Sequence, residues 1–309
     1  MTTTTQTFFN LPAREGSDSG AGVESDYFSA PSKYNLQTSW RTLQDQAITR
    51  TSVLDVFANR VPVLREKSFL SAAECARMLE IVASHEIGSY DTETTWPRVG
   101  VAGITQYDHI KDKPAYFAST PAAYALQNRW RDEAGIDVLQ RVASKLQETT
   151  GMMVQVAREE DGREYYAGIL RAVDAGMHVH ADFAPYEAVG WSVSQSVAQL
   201  TWNILLNQVP GGDTLIYDRQ WRAPQDDMAW RKEFPKDSYH PQMLEGHTFK
   251  AMKPAPGDLT FFNPRNFHEV RACDTSKEHP KSAVRFTVSS FVGYLPARDG
   301  ESEKLILWS

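Results

Sequence analysis

The sequence predicts an α+β fold dominated by β, a curled antiparallel sheet carrying helices on its outside. Two observations point there. Helical periodicity is concentrated before Gly151, and from that residue onward at least six short extended runs follow one another with turn residues between them. Several of these runs also alternate between an apolar and a polar face, as strands do when one side packs and the other faces a solvated space.

Residues 1 to 36, rich in Thr, Ser, Gly and acidic side chains, read as a flexible arm, and 37–309 as one domain with its β core at about 152–295. Val61 to Leu64 reads as a strand. Ser71 and Glu74 form an S-x-x-E capping box, after which Cys75, Met78, Leu79 and Val82 make one apolar stripe. The polar and aromatic segment from Gly88 to Tyr116 fits a surface loop or part of a substrate mouth. A helical region is expected from Pro121 to Thr149, broken near Gly135 and ended by Gly151.

Met152–Ala157 and Tyr165–Leu170 read as a hairpin around Asp161-Gly162, followed by a strand at about 177–183. Gln199 to Asn207 alternates, with Leu200, Trp202 and Ile204 on one face and Gln199, Thr201 and Asn203 on the other. Polar groups are costly in a dry core, so the second face is expected to line a cavity. Pro210-Gly211-Gly212-Asp213 turns into a strand at Thr214, and residues 219 to 246 form a charged, aromatic insertion. Leu259 to Phe262 and Lys281 to Val292 complete the strands, the last with Arg285, Thr287 and Ser289 on one face.

A formal net charge of −7 argues against a nucleic-acid partner or an anionic membrane surface. Cys75 and Cys273 form neither a C-x-x-C motif nor a disulfide framework, and no stretch approaches the roughly 18 to 20 apolar residues of a membrane span. The chain is expected to be cytoplasmic, with a small molecule as its partner.

The chemistry centres on Met177-His178-Val179-His180-Ala181-Asp182-Phe183. In an extended segment His180 and Asp182 point the same way and can reach one metal ion. A third ligand from elsewhere would complete a two-histidine, one-carboxylate set of the kind found in non-heme Fe(II) oxygenases. His268, at the end of a turn-bracketed strand, can meet them if the intervening strands curl. Arg285 on a neighbouring strand would then point a planar donor fork, suited to a carboxylate, into the same space.

This order, H-x-D, a distal His and Arg-x-Thr, resembles the Fe(II)/2-oxoglutarate-dependent oxygenase superfamily over about residues 60 to 295. Leu170 to Phe183, Thr201 to Tyr217, Gly257 to Val270 and Arg285 to Phe291 most resemble its prolyl-4-hydroxylase-like branch, which includes stand-alone enzymes that tailor small molecules. The resemblance implies a double-stranded β-helix, or jelly roll, with His180, Asp182 and His268 holding Fe(II). It further implies that Arg285 and Thr287 bind the distal carboxylate of 2-oxoglutarate, the co-substrate consumed with O2. Gln199, Thr201 and Asn203 are candidates for contacts with 2-oxoglutarate or a metal-bound water, the alternative being a solvated strand face.

The gap from His268 to Arg285 is longer than this family pattern, with an inserted hairpin loop over Cys273 to Lys281, so Arg271 is a rival for the 2-oxoglutarate contact. A rival register would use His178 and His180 as ligands. His85, His109, His240, His247 and His279 lie outside the motif frame. Arg171 is either a structural ion-pair partner or a substrate anchor, and Phe183 and Trp191 are candidates for the substrate pocket.

The implied activity is hydroxylation of an unactivated C–H bond in a small molecule, with amino acids and amino-acid-derived metabolites among the expected substrates. Relatives that halogenate carry Gly or Ala at the acidic position to admit halide, and Asp182 stands there instead. Desaturation, cyclisation and epoxidation are alternatives within the same chemistry. A non-catalytic metal-binding jelly-roll sensor is the alternative from another class.

Overall fold

The structure, a computed structural model, describes residues 38–92, 95–231, 238–274, 284–298 and 300–309. The N-terminal arm, His279 and most of the loop between Cys273 and Lys281 lie outside these residues.

Helices dominate the first half, and their ends follow from local chemistry. In α1 (Arg50–Phe57) and α2 (Ala72–Ala83) the caps Thr49 and Ser71 exchange hydrogen bonds with Ser52 and Glu74. The Ser71 amide, then the Arg141 guanidinium, hold the Glu74 carboxyl below its ordinary range. The buried stripe of α2 is Cys75, Met78, Ile81 and Val82, so Ile81 faces the core and the expected Leu79 sits half-buried beside it.

Helix α3 (Lys113–Ala123) begins earlier than expected because the Asp112 carboxylate accepts from the Ala115 amide and Pro114 occupies the first turn. Pro121 therefore lies inside this helix rather than at its start, and α4 (Ala125–Ala134) follows directly. Gly135 and Gly151 end α4 and α5 (Val138–Thr150) in left-handed conformations.

The early strands are β1 (Val63–Glu66), β2 (Gly88–Ser89) and β3 (Gly100–Ala102). After α5 come β4 (Met153–Val156), β5 (Ile169–Val173), β6 (Met177–His180), the short α6 (Ala184–Glu187), β7 (Ala198–Leu205) and β8 (Thr214–Gln220). The chain closes with β9 (Phe249–Met252), β10 (Leu259–Phe262), β11 (Asn266–Val270), β12 (Arg285–Leu295) and β13 (Lys304–Trp308).

Two sheets face one another in a jelly roll. The larger runs β1-β10-β7-β12-β5-β3-β2, with β13 on β12 and β4 on β13, and the smaller runs β6-β11-β8-β9. The larger sheet thus takes strands from both before residue 152 and after residue 295.

One expectation is corrected. Segments 152–157 and 165–170 turn back on one another around Arg158 and Glu164, but their strands do not form a ladder. Instead β4 pairs in parallel with β13, and β5 pairs with β12 and β3. The reason is the Lys304–Trp308 segment, whose buried Leu305 and Leu307 side chains join the helix-backed core and present a longer ladder to β4.

The outer face of the larger sheet packs against the helices. Leu200, Trp202 and Ile204 of β7 and Val288 and Val292 of β12 meet Trp130, Val142 and Leu146 in one buried cluster. Each such side chain contributes roughly 1.5–3 kcal/mol on leaving water. The opposite parity of the same strands faces inward, toward the smaller sheet.

Candidate metal centre and cavity

The pairing of β6 with β11 sets His180 directly opposite His268, bringing their ring centroids to 4.2 Å. Asp182 lies two residues beyond His180, just past the strand, where its amide donates to the Pro264 carbonyl at 2.9 Å. That bond holds the segment extended, and an Asp182 carboxylate oxygen comes within 3.5 Å of His268 Nε2. One ligand atom from each of His180, Asp182 and His268 lies within 4.8 Å of the others.

Backbone carbonyls orient both rings. His180 Nδ1 is 2.7 Å from the His178 carbonyl and His268 Nδ1 is 2.9 Å from the Asn266 carbonyl. A proton on each Nδ1 satisfies those carbonyls and leaves each Nε2 lone pair free to bind a metal. Burial, then the neighbouring His180, hold the His268 imidazole well below its ordinary value of 6.5, in the neutral form that metals require. His178 lines the same cavity but falls outside the triad.

Across the cavity stands Arg285, only 6% exposed. Its guanidinium reaches Thr214 Oγ1 at 3.5 Å, a long contact, and no carboxylate of the described residues pairs with it. Burial lowers its pKa to about 10, so it stays charged at neutral pH. A buried, unpaired charge is expensive, and a bound organic anion is what would compensate it. Gly212 makes room, since a Cβ there would lie 3.1 Å from the Arg285 side chain and its φ of +73° is left-handed.

Thr287, Thr201, Asn203 and Arg171 also line the cavity. The polar face of β7 is therefore the cavity wall, as its alternation predicts. Arg271 is directed elsewhere, with a side chain 45% exposed that lies 3.8 Å from Glu269.

Phe183 and Trp191 do not line this cavity, because strand parity sends Phe183 to the opposite side from His180 and Asp182. Phe183 meets Tyr186 edge to face under the Arg265 guanidinium, and Trp191 packs with Tyr116 and Phe117. The rim that the sequence left undecided comes from two segments. Tyr90, Trp96, Tyr107 and Asp108 line it from the 88–116 stretch, and Arg231 and Ser238 from the insertion. The polar and aromatic texture of the first stretch was the available signal.

The residues fit a metal ion of the Fe(II) type. Two imidazoles and a carboxylate converge on one side of the cavity, and across it a second charged group awaits an anion.

A family model described as carrier-protein-independent halogenase WelO5 matches residues 44–309. A leucinostatins biosynthesis cluster protein S from Purpureocillium lilacinum is 40% identical over 225 residues, 72% of this chain and 90% of that protein. An L-gamma-glutamyl-L-propargylglycine hydroxylase from Streptantibioticus cattleyicolor is 28% identical over 152 residues, 48% of this chain and 50% of that one. Among solved structures, an N-substituted L-amino acid dioxygenase from Burkholderia ambifaria AMMD shares the fold at a TM-score of 0.52 and 13% identity, covering 83% of this chain and 90% of that one. From residue 44 onward the chain belongs to the matched halogenase-named family, and with it to the Fe(II)- and 2-oxoglutarate-dependent oxygenases, enzymes that need iron, 2-oxoglutarate and O2.

Proposed function

We propose that His180, Asp182 and His268 hold Fe(II), that Arg285 and Thr287 bind the distal carboxylate of 2-oxoglutarate, and that the enzyme hydroxylates a small molecule. The observation that carries this reading is the convergence on one cavity of a metal-ligand triad and a buried guanidinium with no ion-pair partner among the described residues. Bound together there, Fe(II) and 2-oxoglutarate supply the oxidation of a C–H bond by O2, with release of succinate and CO2.

The chain's own part is positional. The carbonyls of His178 and Asn266 fix the two imidazoles, and the Pro264 carbonyl fixes Asp182. Arg285 offers two parallel donors to a carboxylate, and Thr287 adds a hydroxyl beside it. Thr201 and Asn203 supply polar groups on the same wall. The substrate class is an amino acid or a compound derived from one, supported by the hydroxylase relative whose name gives a glutamyl dipeptide. We assign the enzyme to the cytoplasm because Cys75 and Cys273 are both free. Among the described residues no helix is long and apolar enough to cross a membrane.

The family model's name raises halogenation as a second reading. Halide would need the position that Asp182 fills, so hydroxylation is favoured. With iron, 2-oxoglutarate, O2, chloride and a panel of amino-acid-derived compounds, the expected product gains one oxygen atom and no chlorine, with succinate released in step. His180→Ala is expected to lose both. Unchanged turnover in that variant, or a chlorinated wild-type product, overturns the assignment. If anaerobic Fe(II) protein develops no visible charge-transfer band with 2-oxoglutarate, the non-catalytic sensor gains instead.

A further inference from the structure

The cavity holds a second guanidinium that the metal and 2-oxoglutarate leave unexplained. Arg171 lies on β5 opposite Thr287, and Val173 of the same strand lies opposite Arg285. The two arginines therefore start a diagonal apart on neighbouring strands, but they point apart. Arg285 extends toward Thr214, whereas Arg171 donates from Nε to the Tyr90 hydroxyl at 2.8 Å and from Nη1 to the Ser289 hydroxyl. The Tyr90 ring centroid is 5.8 Å from the Arg171 guanidinium carbon, and both residues line the cavity.

These partners hold Arg171 in place without neutralising it, and the Asp108 carboxylate of the same cavity acts on it through space without forming an ion pair. Both partners are neutral hydroxyls, and no carboxylate of the described residues forms an ion pair with it. A guanidinium has five N–H donors, so the brace leaves several unused. Arginines placed away from the cavity are satisfied differently. Arg65 pairs with Asp258 and Arg219 with Asp226, while Arg265 is stacked against Phe183 and Tyr186. Arg171 lines the same cavity as His180, Asp182 and His268.

We propose that Arg171 anchors a carboxylate of the compound being oxidised, which makes that compound a carboxylic acid held between the β5 guanidinium and the metal centre. The inference rests on the oxygenase reading, because in that reading one carboxylate of 2-oxoglutarate goes to Arg285 and the other to the metal. A third carboxylate then has Arg171 as its partner. The Tyr90 and Ser289 brace fixes the fork, and a fixed fork holds the acid in one orientation.

The test uses calorimetric titration of the full chain loaded with Zn(II) and 2-oxoglutarate. The probes are L-amino acids and L-γ-glutamyl dipeptides, each paired with its carboxamide. At least one acid is expected to bind wild type, with its amide weaker by about tenfold or more. Arg171→Gln should remove that preference while leaving 2-oxoglutarate affinity within about twofold, and Arg171→Lys should restore part of it. Circular dichroism of both variants checks that they fold. Equal binding of acid and amide to wild type overturns the proposal, as does failure of every acid to bind. A loss of 2-oxoglutarate affinity in Arg171→Gln overturns it too and assigns the guanidinium to the co-substrate. Wild-type protein that binds no 2-oxoglutarate at all would instead sink the oxygenase reading.

Discussion

The two sheets that enclose the cavity differ in what they present and in what supports them. The smaller sheet carries His180 and His268, with Asp182 just beyond it, and its outer face is covered by the irregular insertion through Trp221, Tyr239, Met243 and Leu244. The larger sheet carries Arg285, Thr287 and Arg171, and its outer face is covered by helices through Trp130, Val142 and Leu146. One wall therefore offers imidazole nitrogens and a carboxylate to a metal, while the other offers guanidinium groups to organic anions. Among the described residues no Arg or Lys of the smaller sheet lines the cavity, so the face that carries the triad is free of competing positive charge.

That separation can be broken most forcefully at the triad. His268→Ala is expected to lower Fe(II) or Zn(II) affinity by more than about a hundredfold, since losing a ligand should exceed the loss of its supporting contacts. Arg285→Gln should leave metal affinity intact and raise the KM for 2-oxoglutarate by about thirtyfold or more. Metal titration and 2-oxoglutarate kinetics on both variants check this, and loss of metal binding in Arg285→Gln would show that the walls are not independent.

A smaller effect distinguishes the supports. Leu146→Ala leaves a hole in the helix-backed core and should cost about 2–5 kcal/mol in denaturant unfolding. Met243→Ala beneath the insertion should fall at the lower end of that range, because irregular backbone can close over a lost side chain more readily than packed helices can.

The smallest effect is on pH. Burial holds His178, His247 and His268 below the ordinary imidazole value of 6.5, and all three lie on the smaller sheet or at its edge. These imidazoles take up protons less readily in the fold than in the unfolded chain, which is protonated as the pH falls past that value. Stability of the metal-free protein is thus full above about pH 6.5 and declines below it. Thermal melts from pH 7.5 to 5 should show the decline, and bound metal should reduce it by holding His268 deprotonated. Metal-free stability that rises as the pH falls through this window would contradict it.

What the sequence determined by itself is local. The i,i+2 spacing of His180 and Asp182 needs only an extended backbone, the Ser71 and Glu74 box needs only a helix start, and the two faces of β7 follow from alternation. The tertiary structure decided what depends on partners distant in the chain. It paired β4 with β13, set His180 opposite His268, turned Phe183 and Trp191 away from the cavity and brought the 88–116 stretch to its rim. Periodicity along a chain says which residues share a face, but not which other segment that face will meet. Arg171 illustrates the limit: its candidacy as a substrate anchor was legible, whereas its place on β5 was not, and the Tyr90 and Ser289 hydroxyls that aim it come from segments far away in sequence.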